Sequence, residues 1–107
     1  MKNFPGGMQQ FMRQAQQMQV KMAKLQEELA TKTVEASSGG GAVTAISTGN
    51  QLLSAIKINK EVVNPDDVEM LQDLIMTAVN ESLKKSKAMS EEEMQKITGG
   101  VSMPGLF

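Results

Sequence analysis

Met8, Phe11, Ala15, Met18, Met22, Leu25 and Leu29 succeed one another in alternating steps of three and four. Such spacing is the a/d seam of a heptad pattern, and it predicts a long helix lying along another helix, in its own chain or in a second copy. The surrounding stretch "MQQFMRQAQQMQVKMAKLQEELA" contains no Gly or Pro and is rich in strong helix formers. At 1.5 Å per residue it extends on the order of 33 Å, longer than a small sheet can cover, so part of it is expected to project.

From Thr31 the pattern changes to short runs rich in β-branched residues, "TKTVEASS", "AVTAIST" and "QLLSAIKIN". They predict three strands joined by tight turns. In the third run Leu52, Ser54, Ile56 and Ile58 fall on one face and Leu53, Ala55, Lys57 and Asn59 on the other. Gly49-Asn50 suits a two-residue type II′ hairpin with positive φ at Gly49. Gly39-Gly40-Gly41 reads as the equivalent turn one strand earlier. A phosphate-binding loop would need Lys-Ser or Lys-Thr after its last Gly and then a helix, whereas Ala42 and Val43 open a strand.

"NPDDVEMLQDL" predicts a second helix, with Asn64 as N-cap, Pro65 in the first turn and Asp66, Asp67 and Glu69 facing the positive helix end. Val68, Leu71, Ile75, Ala78, Val79 and Leu83 form an apolar stripe suited to a sheet face, and the helix is expected to end near "KKSK". Ser90 with Glu91, Glu92 and Glu93 after it reads as the cap of a short third helix ended by Gly99 and Gly100. The fold class is therefore α+β: a long N-terminal helix, a three-stranded antiparallel meander, a second long helix and a short C-terminal helix. All of 1–107 reads as one domain, with a Pro-Gly lead-in over 1–7 and a Gly/Pro-rich tail over 98–107. Val101, Met103, Leu106 and Phe107 make that tail one that orders where it finds a groove.

Composition narrows the chemistry. The chain has no Cys and no His, which removes thiolate nucleophiles, the usual general base and most transition-metal sites. The acids Asp66, Asp67, Glu69 and Asp73 lack EF-hand spacing and sit at a helix start, so no metal site, cofactor or catalytic residue is expected. With ten Met and three aromatic residues the core is adaptable and modest, which favours burial against a second copy. No window resembles a signal peptide or a membrane span, so a cytoplasmic protein is expected.

Net charge is −1, but it is unevenly spread: five basic residues against three acidic through residue 35, and five against nine from 60 to 97. Arg13, Lys21 and Lys24 on the first helix and Lys84, Lys85 and Lys87 on the second are the clustered cations. They read either as a solvated helix face or as contacts to a duplex backbone; without interleaved aromatics, single-strand recognition is disfavoured.

The joints of this pattern, "SSGGGAVTAISTGN", "NPDDVEMLQDLI" and the ending "TGG" with "PGLF", resemble the YbaB/EbfC family of bacterial nucleoid-associated proteins across nearly the whole chain from the first helix onward. The resemblance implies a homodimer whose long helices project like tweezer arms and bind duplex DNA, in the nucleoid. It also implies partners in DNA replication or recombination repair, whose genes commonly neighbour those of the family. By similarity, DNA contact falls on Arg13, Lys21, Lys24, Lys84, Lys85 and Lys87. Gln9, Gln14, Gln16 and Gln17 would supply hydrogen bonds to phosphates or base edges. The competing reading is a protein-interaction scaffold that docks partners through Met12, Met103, Leu106 and Phe107.

Overall fold

The computed structural model describes residues 5–98. Helix α1 (Pro5–Thr31) leads into strands β1 (Thr33–Ser38), β2 (Val43–Thr48) and β3 (Leu53–Ile58), a 3-10 turn (Lys60–Val62) and helix α2 (Val68–Thr98). The strands form one antiparallel sheet in the order β1-β2-β3. The expected lead-in is shorter than 1–7, because α1 begins at Pro5, where a fixed φ and a missing N–H suit a first helical position. The helix stop expected at Gly99 and Gly100, and the tail beyond it, lie outside the described residues.

The glycine triplet turns β1 into β2 with φ of 59°, 69° and 99° at Gly39, Gly40 and Gly41, a path that only Gly takes without strain. The next turn differs from the expected type II′. Its positive φ lies at Gln51 (64°), not at Gly49. Gly49 is required for space instead: a Cβ there would stand 2.8 Å from both Cδ2 and the carbonyl oxygen of Leu29. Its N–H donates to the carbonyls of Leu29 at 2.8 Å and Lys32 at 2.9 Å, so the β2–β3 turn caps the C-terminal end of α1.

Register also corrects the face assignment in β3. Val43 pairs with Ile58, Ala45 with Ile56 and Ser47 with Leu53, which leaves Ser54 as an extra residue. Leu53 therefore replaces Leu52 on the face shared with Ile56 and Ile58, and the Ser54 hydroxyl donates to the Ile46 carbonyl at 3.1 Å.

Helix α2 starts three residues later than the sequence suggests. Asn64 Oδ1 accepts from the Asp66 N–H at 2.9 Å, making "NPDD" a turn, and Asp67 Oδ1 caps the helix by accepting from the Met70 N–H at 3.2 Å. The expected break before Ser90 is absent, and α2 runs unbroken to Thr98. No Gly or Pro interrupts it, half-buried Met89, Met94 and Ile97 extend its apolar stripe, and Glu93 binds Lys32 at 3.2 Å and Lys96 at 3.5 Å. The Lys32 hydrogen bond is the main cause that lowers the Glu93 carboxyl below the usual glutamate range.

Val43, Ala45 and Ala78 form the buried centre, with Val62, Leu71, Leu74, Ile75 and Val79 packed around it. Helix α2 lies chiefly on β1 and β2, brought close by the small residues Ala78, Ser82 and Ser86. Ser82 donates to the Val79 carbonyl at 2.9 Å and meets Ser47 Oγ at 2.6 Å, while Ser86 donates to the Thr48 carbonyl at 2.5 Å and accepts from the Gln51 N–H at 3.1 Å. These bonds satisfy the buried hydroxyls and pin α2 to the same end of the sheet at which Gly49 holds α1. Both helices leave the sheet from that end.

Candidate nucleic-acid interface

At 1.5 Å per residue α1 is about 40 Å long, twice the length of a six-residue strand, and residues 7–17 are exposed along its outer half. Its periodicity separates two faces. Leu25 and Leu29 are buried and Met18 and Met22 half-buried on the seam. At about 100° per residue, Arg13 and Lys24 lie on nearly the same azimuth, with Gln9, Gln17 and Val20 close beside them and the seam on the opposite side. Lys21 stands about 80° from Arg13, at the flank.

The cations Arg13, Lys21 and Lys24 are all exposed and form no salt bridge among the described residues. The only acids of α1 are Glu27 and Glu28, next to the sheet. Beyond them the arm presents three unpaired positive charges on a helix rich in amides that both donate and accept hydrogen bonds. The opposite end of the molecule is acidic: Asp67, Glu69 and Asp73 line an open groove beside Gly39 at the start of α2. The outer part of α2, which leaves the sheet at the same end as α1, carries Glu91, Glu92 and Glu93 as well as Lys87 and Lys96, so the uninterrupted positive charge belongs to α1 alone.

The second cationic group is placed differently from expectation. Lys84, Lys85 and Lys87 sit in the middle of α2 rather than at its C-terminal end, so the helix dipole gives them no special support. Lys85 Nζ donates to the Glu35 carbonyl at 2.9 Å and ties α2 to β1. Lys84 lies 3.9 Å from Glu81, a loose and exposed pair, and Lys87 is exposed without a salt bridge among the described residues. The Lys85 anchor is a contact between residues 50 apart in sequence, and no local pattern in the chain announces it.

A three-stranded meander with one long helix packed on it and another projecting from one end of the sheet defines a small α+β fold. The sequence profile of the YbaB/EbfC DNA-binding family matches residues 4–101, and the chain belongs to that family. A nucleoid-associated protein of Acetivibrio thermocellus is 56% identical over 105 residues, covering 97% of this chain and 93% of the relative. One of Ruminiclostridium cellulolyticum is 52% identical over 105 residues, covering 97% and 91%. The crystal structure of an uncharacterized Helicobacter pylori protein shares the fold with a TM-score of 0.71 at 22% identity, covering 79% of this chain and 89% of that one. No helix among the described residues is long and apolar enough to cross a membrane.

Proposed function

We propose that the protein is a nucleoid-associated homodimer that grips duplex DNA through its phosphate backbone, with α1 as the principal contact. The observation that carries this reading is the acid-free outer part of α1, where Arg13, Lys21 and Lys24 stand exposed and unpaired among the described residues. Lys84 and Lys87 add contacts nearer the sheet, and Lys85 holds the helix that carries them. Exposed Gln9, Gln14, Gln16 and Gln17 supply hydrogen bonds that orient the duplex against the arm.

A second copy is supported by β3. Leu53, Ile56 and Ile58 share the face of Ser47, Ala45 and Val43, yet they remain 42%, 38% and 40% exposed because α2 covers the other two strands. An apolar edge of this kind is a pairing surface unless something covers it. Replacing Ile56 and Ile58 together by Glu is expected to convert the dimer into a monomer in sedimentation velocity. A variant that stays folded and dimeric would move the interface elsewhere.

The function itself is tested by anisotropy of a labelled random-sequence duplex titrated with the protein at several salt concentrations. Backbone gripping by roughly four to six cations in a dimer gives a slope of log K against log salt of about −4 to −5. Absence of binding at low salt by a folded dimer would overturn the reading. It would favour instead the scaffold reading, in which Met12, exposed on α1, and Met103, Leu106 and Phe107, which lie outside the described residues, dock proteins of replication or recombination repair.

A further inference from the structure

Methionine is concentrated where α1 and α2 lie against each other. At about 100° per residue, Met18, Met22, Leu25 and Leu29 fall within about 60° of one another on α1, the two leucines buried and the two methionines half-buried. On α2, Ala78, Ser82 and Ser86 turn one side of the helix to the sheet, and Met89 continues that side past the bond from Ser86 to the Thr48 carbonyl. There α2 meets α1. Among the described residues α1 packs chiefly on α2, and Glu93 Oε1 binds Lys32 Nζ at 3.2 Å just after α1 ends. Met89, Met94 and Ile97 are half-buried around Glu93.

The chain has no Cys, so thioethers are its most readily oxidised groups, and half-burial leaves these four within reach of a small oxidant. We propose that Met18, Met22, Met89 and Met94 form a modification site at which a peroxide, acting on the thioether sulfurs, releases α1 from α2. The sulfur attacks one oxygen of hydrogen peroxide, and an S–O bond forms as the O–O bond breaks. The sulfur loses two electrons, and the other oxygen leaves as water after taking the proton of the transferred hydroxyl. A sulfoxide is a strong hydrogen-bond acceptor, and holding it in a seam with Leu25 and Leu29 is less favourable than hydrating it, so the helices part. The partly exposed Lys32–Glu93 pair is too weak a tie to keep them together. Met8, Met12, Met70 and Met76 oxidise without this consequence, because their side chains already face water.

Hydrogen peroxide titrated into the full-length protein tests the site, with sulfoxides located by peptide mass and backbone protection followed by hydrogen exchange. Exchange at the amides of residues 19–29 is expected to rise about tenfold or more as the four seam sulfoxides form. Combining Met18→Leu, Met22→Leu, Met89→Leu and Met94→Leu keeps volume and helix propensity and removes the oxidisable sulfur. That variant is expected to stay protected while its exposed methionines still gain oxygen. The complementary variant, with Leu at Met8, Met12, Met70 and Met76, keeps the native seam and is expected to respond like the parent. Seam methionines that stay unoxidised while the exposed ones react, or full seam oxidation with unchanged exchange, would overturn the inference. So would an equal loss of protection in the oxidised seam variant, or loss of the response in the complementary one. No DNA is present in any arm, so the outcome is independent of duplex binding.

Discussion

Exchanging Arg13, Lys21 and Lys24 for Gln is expected to remove most duplex affinity and nearly all of its salt dependence. Each phosphate contact contributes about 0.9 to the slope of log K against log salt through release of condensed counterions. Three cations on each of the two arms of the proposed dimer would make about six contacts, so the parent is expected to lose roughly a thousandfold in affinity between 50 and 200 mM salt and the variant almost nothing. Glutamine preserves helix propensity and hydrogen-bonding capacity while removing the charge, so α1 remains a helix and the comparison isolates electrostatics. Its neighbours on the arm are already glutamines, which makes the change chemically mild. Lys84→Gln with Lys87→Gln serves as the contrasting pair. Lys84 lies near Glu81 and both lysines stand closer to the sheet, so a smaller loss and a slope change of at most about 1 are expected. If the α1 triple variant binds as tightly as the parent and with the same slope, α1 is not the principal contact.

Much of this arrangement was legible in the sequence because it rests on local rules. The heptad seam of α1 is a repeated spacing, the β-branched runs are a propensity, and the positive φ values at Gly39, Gly40 and Gly41 stem from a run of glycines between strands. The errors occur where a non-local contact overrides a local preference. Asn64 and Ser90 both look like helix caps, yet Asn64 closes a turn ahead of Asp67, and Ser90 lies inside a helix that gains its own packing and a tie from Glu93 to Lys32. The extra residue in β3 moves Leu53 onto the face assigned to Leu52, a shift that depends on pairing with β2. For the candidate nucleic-acid interface, the six cations were legible in the sequence but not their separate surroundings: three on a projecting arm with no salt bridge among the described residues, one tied to a strand carbonyl and two near the base of the arm.

Gly49 shows how such an override governs the arm. The expectation of a positive φ at this residue implied that Ala there would suffer backbone strain; its actual φ imposes none, and the demand for Gly comes entirely from the close approach of Leu29. An Ala Cβ would meet the Leu29 carbonyl oxygen at 2.8 Å, and backbone on both sides leaves little room for relief. Separation of the turn from α1 would lengthen the two bonds that the Gly49 N–H makes to Leu29 and Lys32. Overpacking costs about 1–3 kcal/mol and a weakened backbone bond about 1 kcal/mol, so Gly49→Ala is expected to destabilise the protein by about 3 kcal/mol. Gly40→Ala is the informative comparison, because Gly40 has φ of +69° with nothing within 4 Å of an added Cβ. Its cost is the left-handed backbone alone, about 1–2 kcal/mol, and it leaves α1 attached. Urea melts of the two variants give the ranking, and hydrogen exchange at the last turn of α1 reports the attachment directly. A Gly49→Ala protein as stable as the parent, with α1 equally protected, would mean that the turn does not hold the arm and that its direction is set by contacts with α2.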